Sequence, residues 1–311
     1  MRVGRLKSSI GPIVYKHGGK LAHQGCVNTI AWNSKRSLLI SGSDDTRVNV
    51  WSYESHKLLQ SIESGHTLNI FCTKFVPETC DDLVASGAAD TEVRLFNLSR
   101  TQEDCNITPS ALFQCHTRRV KKLAVEPGNP NVVWSASEDG TLRQHDLREV
   151  TSCPPAGECR NILAHQGCVN TIAWNSKRSL LISGSDDTRV NVWSYESRKL
   201  LQSIESGHTL NIFCTKFVPE TCDDLVASGA ADTEVRLFNL SRTQEDCNIT
   251  PSALFQCHTR RVKKLAVEPG NPNVVWSATE DGTLRQHDLR EVTSCPPAGE
   301  CRNILVSMTH P

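Results

Sequence analysis

The chain has 311 residues, and its 34 lysine and arginine residues balance its 34 aspartate and glutamate residues. This neutrality excludes strong global attraction to nucleic acid or to an anionic membrane, so we expect neither as a partner. No apolar run approaches the ~20 residues that cross a bilayer, and the basic first 19 residues lack the apolar core of a secretory signal. We therefore expect a nuclear or cytoplasmic chain in which the 14 cysteines are free thiols.

An internal duplication dominates the sequence, because residues 21–162 recur as residues 163–304. Loops match as closely as strands, although loops ordinarily vary more. This identity indicates a recent duplication, an engineered fusion or a gene-model artefact, and the sequence leaves all three open. The two halves differ at only two positions, His56 against Arg198 and Ser137 against Thr279.

A shorter repeat of 43 to 50 residues lies within each half, with successive units beginning at His23, His66, His116 and His165. Each unit contains short apolar runs that end in small residues, runs that alternate with a period of two, and acidic turns between them. These are strand and hairpin patterns. Repeats of this length built from strands are typical of propellers.

One such unit has two apolar faces and cannot bury both alone, whereas units stacked around an axis bury them against each other. Three units are too few to close a ring, and six can close one. A parent geometry suited to more blades would instead leave the ring strained or open, with exposed edges, and the sequence leaves both outcomes open. The sequence therefore predicts an all-β fold, a β-propeller of six blades in two three-blade halves. We expect an N-terminal extension over 1–20 that offers a competing edge strand, a propeller over 21–305 whose last outer strand covers 302–307, and a tail over 306–311.

Polar residues recur at strict spacing in every unit. In the first unit Ser41, Asp45 and Trp51 are separated by four and six residues, and His23 precedes the serine by 18. An imidazole, a hydroxyl, a carboxylate and an indole N–H can satisfy one another in a buried hydrogen-bond network. A hydrolytic triad is the alternative interpretation, but six copies and the lack of a Gly-x-Ser-x-Gly turn favour a structural role. We predict no catalytic residue.

In these features the chain resembles the WD-repeat family, whose members are β-propellers with such a network in each blade. The resemblance covers residues 21–305 and implies that the network positions in the two halves are His23, Ser41, Asp45, Trp51, His165, Ser183, Asp187 and Trp193. The second unit of each half has Phe96 or Phe238 in place of tryptophan, and the third has His145 or His287.

Metal-binding patterns are weak. Cys115 and His116 are adjacent, so a strand would direct them to opposite faces. Cys153 and Cys159 lie six apart in a proline-rich stretch, and one pair does not make a zinc site. We expect no metal and no cofactor.

The stretch from Val133 to Arg148 ends in His-Asp-Leu-Arg. It is similar to a sixteen-residue box, ending in Trp-Asp-x-Arg, of substrate receptors of cullin–RING ubiquitin ligases. The resemblance implies that the arginine docks on the damage-specific DNA-binding adaptor protein. The chemistry alone also allows a local pair of Arg148 with Asp146 or Glu149. The adaptor-binding residues implied by the resemblance are Asp146, Arg148, Asp288 and Arg290.

Longer stretches, such as HQGCVNTIAWN from His23 and GHTLNIFCTKFVPET from Gly65, are similar to plant relatives of the WD and tetratricopeptide repeats protein, of the altered seed germination type. That family carries more blades and a tetratricopeptide region, and it implies a receptor that recruits proteins for ubiquitination. The chain looks like one three-repeat segment used twice, and no substrate follows from it.

A basic cluster precedes and enters one predicted inner strand of each half. It could bind an acidic peptide, a nucleic-acid phosphate or an import receptor, or consist of solvated charges near the mouth of the propeller. Its members are Arg118, Arg119, Lys121, Lys122, Arg260, Arg261, Lys263 and Lys264.

The expected function is a non-enzymatic protein-interaction scaffold that serves as substrate receptor of a cullin–RING ligase. Three alternatives stay open: a general propeller scaffold for peptides or histone tails, a propeller enzyme with a site in the central channel, and a duplicated fragment without function. Binding to the adaptor distinguishes a substrate receptor from a general scaffold.

Overall fold

A computed structural model describes residues 23–99, 109–148, 165–241 and 251–290 in full, together with the backbone of six short strands. These six strands are β1, β2, β14, β15, β27 and β28 of the numbering below. Every regular element in the described residues is a β-strand. No helix of a length and hydropathy suited to crossing a bilayer occurs among them.

The strands are numbered in chain order. Those of the first half are β1 Lys16–His17, β2 Lys20–Leu21, β3 Val27–Trp32, β4 Leu38–Ser43, β5 Arg47–Ser52, β6 Leu58–Glu63, β7 Ile70–Phe75, β8 Leu83–Ala88, β9 Val93–Asn97, β10 Ala111–Phe113, β11 Val120–Val125, β12 Val132–Ser137, β13 Thr141–Asp146, β14 Ser152–Cys153 and β15 Asn161–Leu163. Those of the second half are β16 Val169–Trp174, β17 Leu180–Ser185, β18 Arg189–Ser194, β19 Leu200–Glu205, β20 Ile212–Phe217, β21 Leu225–Ala230, β22 Val235–Asn239, β23 Ala253–Phe255, β24 Val262–Val267, β25 Val274–Thr279, β26 Thr283–Asp288, β27 Ser294–Cys295 and β28 Ile304–Ser307.

Six antiparallel meanders form six blades, as predicted. Blade 1 is β3 to β6, blade 2 is β7 to β10, and blade 3 is β11 to β13 with β15. Blades 4, 5 and 6 repeat them as β16 to β19, β20 to β23, and β24 to β26 with β28. In blades 2 and 5 a short parallel strand, β14 or β27, extends the outer edge.

Every blade has its own outer strand, including the last, where β28 pairs with β26. The segment predicted to offer a competing edge strand forms instead a separate hairpin, in which β1 pairs with β2. One cysteine departs from the free-thiol prediction. Cys115 is disulfide-bonded, so that prediction is wrong at Cys115.

The first strands of successive blades lie side by side around a common centre, from β3 through β7, β11, β16 and β20 to β24. The hydrophobic core lies between the blades rather than within them, because each cluster of buried side chains draws on two neighbouring blades. Five such junctions join blade 1 to blade 6 in series.

The junction that would join blade 6 back to blade 1 is open in the described part of the chain. Ile172 on blade 4 is 4% exposed where it packs on blade 3, but its identical counterpart Ile30 on blade 1 is 59% exposed. Val169 is fully buried and its counterpart Val27 is 51% exposed. Identical residues therefore differ in burial only because one junction is packed and the other is not.

Blade 6 shows the matching exposed face. At the packed junction Trp134 is fully buried and its ring lies 6.3 Å from that of Trp174. Its counterpart Trp276 on blade 6 is only half-buried. The side chain of Arg178 approaches Gly128, whereas no atom lies close to the corresponding position at Gly270. We call this gap between blades 6 and 1 the open seam.

The predicted polar residues meet in one hydrogen-bonded chain in blade 1. The indole Nε1 of Trp51 donates to Ser41 Oγ at 2.9 Å, the serine lies 2.8 Å from His23 Nε2, and His23 Nδ1 lies 2.9 Å from Asp45. The corresponding distances in blade 4 are 2.9, 2.8 and 2.9 Å, and they join Trp193, Ser183, His165 and Asp187.

The carboxylate of Asp45, the last member of this row of hydrogen bonds, also holds the turns together. Asp45 accepts the backbone N–H groups of Gln24 and Arg47. Burial acts to raise the pKa of Asp45, but these bonds and His23 outweigh it, so the pKa of this carboxyl lies below its ordinary value. The network therefore ties the residue before the first strand of a blade to the turn between its second and third strands.

The two departures in the aromatic position have different consequences. Phe96 and Phe238 are fully buried and end the chain of hydrogen bonds at the serine. His145 keeps the chain, because its Nε2 lies 2.7 Å from Ser135 Oγ, and its ring lies 4.7 Å from that of Phe113. Burial, with smaller effects of His116 and Arg143, lowers the pKa of His145 to about 3, so the ring is neutral near pH 7.

We expect the free energy of unfolding to fall more after Ile172→Ala than after the chemically identical Ile30→Ala. The first change leaves a cavity in a packed junction and should lower the free energy of unfolding by about 2–5 kcal/mol. The second shortens an exposed aliphatic side chain at the open seam and should lower it by less than about 1 kcal/mol. Urea denaturation of the two variants measures the difference. Equal losses would mean that the seam packs in solution.

Because His145 and His287 are buried, we expect the protein to lose stability in mild acid. Their folded pKa of about 3 at His145 and His287 lies below the unfolded value near 6.5. The unfolded chain therefore binds more protons between these values, and stability falls as the pH falls. Between pH 6.5 and 5 the loss should reach up to about 2 kcal/mol per histidine.

Phenylalanine already occupies this position in blades 2 and 5, so His145→Phe/His287→Phe should retain the fold and flatten the dependence on pH. Urea denaturation at pH 6.5 and at pH 5 compares this variant with the wild type. An unchanged slope between the two pH values would contradict the assignment of the effect to these two rings.

Candidate functional site

The His-Asp-Leu-Arg stretch lies where the third strand of blade 3 ends. Strand β13 ends at Asp146, which is paired with Val132 of β12. The chain then turns, and the backbone N–H of Leu147 donates to the carbonyl of Asn131 at 2.8 Å. Leu147 packs against the core between blades 2 and 3. The turn is anchored on both sides, so the backbone that carries Arg148 has a defined position.

Arg148 folds back onto Asp146 in a two-pronged ion pair. Its Nε donates to Oδ1 at 2.9 Å and its Nη2 to Oδ2 at 2.6 Å, and its backbone N–H donates to Oδ1 at 3.0 Å. The arginine side chain remains 64% exposed, and that of the aspartate 21%. The local pairing that the sequence left as an alternative is therefore present.

The second copy of the stretch has the same geometry on blade 6. Arg290 donates to Asp288 through Nε at 2.9 Å and through Nη2 at 2.5 Å, again with a 64% exposed arginine. These hydrogen bonds lower the pKa of Asp288 to about 2, so the carboxylate is ionised at any pH near neutrality. The two pairs are on blades 3 and 6, with blades 4 and 5 between them.

The surroundings of the two pairs differ although their sequences do not. Next to blade 3, the Tyr195 hydroxyl of blade 4 interacts with Glu126 and lies near enough to Asp146 for their charges to interact. Blade 6 faces the open seam, where Tyr53, the counterpart of Tyr195, is 59% exposed. Each pair has a packed preceding blade, but only the pair on blade 3 also has a packed following blade.

The basic cluster does not form one patch. Arg118 and Arg119 are exposed before β11. Lys121 lies 3.4 Å from Glu138 and 4.6 Å from the centre of the Phe71 ring. Lys122 follows it on the other face of the strand and interacts with Lys264 of blade 6. The same division holds for Arg260, Arg261, Lys263 and Lys264, with Lys263 at 3.4 Å from Glu280.

The cluster also lies on the rim opposite to Arg148. Strands β11 and β13 both pair antiparallel with β12 and therefore run in the same direction. Arg118 precedes the start of β11, and Arg148 follows the end of β13. We call the rim with Arg148 the box rim and the rim with Arg118 the opposite rim.

Sequence reasoning did not single out two further lysines, Lys74 of β7 and Lys216 of β20. Each is half-buried and lies on the inner strand of its blade. The stretch IFCTKF did indicate that Cys72 and Lys74 lie on the same face of the strand, because they are two residues apart. Nothing in the sequence placed that face toward the centre of the ring.

Groups of metal-ligand type occur twice among the described residues, at His66, Asp90 and Glu92 and at their counterparts in blade 5. Each ligand group already has a protein partner. His66 Nδ1 lies 2.9 Å from Asp90, and Glu92 accepts hydrogen bonds from Arg94 and Gln114. These contacts belong to the blade network, and no metal is required to satisfy them.

Comparisons with known proteins agree with this architecture. The family model of the WD domain, G-beta repeat, matches residues 16–52, 107–146 and 157–194. Protein ALTERED SEED GERMINATION 2 of Arabidopsis thaliana is 72% identical over 152 residues, which cover 46% of this chain and 20% of that protein. These matches confirm the resemblance inferred from the sequence motifs.

Two human proteins are also similar. WD and tetratricopeptide repeats protein 1 is 47% identical over 127 residues, or 41% of this chain and 18% of that protein. DDB1- and CUL4-associated factor 6 is 39% identical over 143 residues, or 46% of this chain and 16% of that protein. The chain thus spans no more than about a fifth of the length of these relatives.

The matched segments fall on blades 1, 3 and 4, and the other three blades repeat the same strand order and the same histidine–serine–aspartate contacts. The chain therefore carries WD repeats, and its six blades have the all-β architecture of a propeller.

Proposed function

We propose that this interaction scaffold is a substrate receptor of a cullin–RING ubiquitin ligase and that it docks on the damage-specific DNA-binding adaptor protein through its box rim. The observation that carries the proposal is the exposed Asp146–Arg148 pair at the end of β13. The similarity to a protein named DDB1- and CUL4-associated factor 6 supports the same partner.

The geometry of the pair suits docking better than it suits stabilisation. An exposed ion pair contributes only about 0–1 kcal/mol to folding, so stability alone gives little reason for it. Asp146 instead holds the guanidinium in one orientation. A planar, pre-oriented guanidinium loses little entropy on binding carboxylate or carbonyl acceptors, and arginine is enriched in interface hot spots.

The packed neighbour favours the pair on blade 3. An adaptor that contacts Arg148 can also contact blade 4, whereas one that contacts Arg290 meets the open seam. We therefore assign adaptor binding chiefly to Asp146 and Arg148, with Asp288 and Arg290 as the weaker copy. This leaves the loops of the opposite rim, which include Arg118 and Arg260, for a protein substrate.

Binding of the purified chain to the purified adaptor tests the proposal. We expect Arg148→Ala to weaken binding at least tenfold, Arg290→Ala to weaken it less, and the double variant to abolish it. The control is Arg118→Ala/Arg260→Ala, which removes the same charges from the opposite rim and should bind like the wild type. Each variant is first shown to be folded by its thermal transition.

Two results would contradict the receptor proposal. A folded wild type that does not bind the adaptor would leave a scaffold without a ligase role. Equal weakening by the control variant would show that net charge, rather than the Asp146–Arg148 pair, determines binding.

A further inference from the structure

Four lysines from the inner strands converge on the centre of the ring. Lys74 and Lys122 belong to blades 2 and 3, and Lys216 and Lys264 are their counterparts on blades 5 and 6. Because the duplication relates blades that are three apart, each lysine faces its own copy across the centre. Lys122 and Lys264 are within hydrogen-bonding reach of one another, and the charge of Lys74 interacts with those of Lys122 and Lys216.

Hydrogen bonds between neighbouring blades fix the inner strands that carry these lysines relative to one another. The backbone N–H of Leu123, next to Lys122, donates to Cys72 Sγ at 3.2 Å. The equivalent bond from Leu265 to Cys214 measures 3.3 Å. Blades 1 and 4 contribute the small Ala31 and Ala173 at the position of Lys74, so all the charge comes from two opposite pairs of blades.

These four ammonium groups have no counter-charge among the described residues. Among the described residues, no ion pair joins any of the four to a carboxylate. The groups that act on Lys74, Lys122 and Lys264 are other lysines of the cluster and the thiols of Cys72 and Cys214. The adjacent lysines differ sharply, since Lys121 and Lys263 each lie 3.4 Å from a glutamate.

Burial and repulsion from neighbouring lysines act together on two members of the cluster, Lys264 and Lys74. Desolvation by the surrounding protein, followed by the charge of Lys122, lowers the pKa of Lys264 to about 8. Burial also lowers the pKa of Lys74. Like charges held close together are costly where water is partly excluded, and a bound anion would remove this cost.

We propose that the centre of the ring binds a small phosphate-type oxyanion, such as phosphate or diphosphate, between Lys74, Lys122, Lys216 and Lys264. The close approach of opposite lysines limits the size of the anion, and four ammonium groups suit one that carries several charges. Lys264 is exposed and the other three are half-buried, so solvent reaches the cluster. The site lies on the axis, away from Arg148, and does not depend on the ligase role.

Calorimetric titration of the full chain with inorganic diphosphate at constant ionic strength tests this site. We expect saturable binding of one diphosphate per chain, weakened at least tenfold in Lys122→Met/Lys264→Met. The matched control is Lys121→Met/Lys263→Met, which removes the same charge one residue away and should stay within twofold of the wild type. Diphosphate should also raise the melting temperature of the wild type and the control but not that of the first variant.

A second pair of substitutions, Lys74→Met/Lys216→Met, removes charge from the same site and replaces the first variant if that variant does not fold. The proposal is overturned if the wild type shows no saturable binding, or if the site variants and the control lose affinity equally. It is also overturned if a phosphoserine peptide binds through these lysines while free phosphate and diphosphate do not.

Discussion

A blade with two apolar faces can bury both only against other blades, and the rest of this structure depends on that constraint. It explains why the core lies between the sheets and why five junctions form in series. It also explains the contrast between Ile172 and Ile30, which are identical in sequence and opposite in burial. The hydrogen-bonded chains from histidine to aspartate do not replace this packing. They hold each blade in the register that lets its faces meet the next blade.

Much of this architecture could be predicted because it is local. Four- and six-residue spacings determine which side chains share a face of adjacent strands, so Ser41, Asp45 and Trp51 could be joined before their distances were measured. The number of blades followed from the duplication. The turn that carries Arg148 followed from the end of an alternating strand. In each case the relevant contacts lie within one unit of about 45 residues.

What could not be predicted depends on contacts between distant units. The open seam depends on whether blade 6 meets blade 1, and identical sequences cannot show which of two junctions packs. The lysine cluster has the same origin, because Lys74 and Lys216 are 142 residues apart and only the ring brings them together. For Arg148 the chemistry allowed a local pair or a docking contact, and the structure shows the local pair with the arginine side chain left 64% exposed.

The central functional claim is that the adaptor meets the box rim at blade 3. Hydrogen exchange of the chain with and without the adaptor tests it most directly, because it maps the contact without altering any residue. We expect slower exchange at the backbone amides around Leu147 and Arg148 and along the neighbouring edge of blade 4, with little change near Arg118. Protection confined to the opposite rim, or no protection at saturating adaptor, would contradict adaptor docking at the box rim.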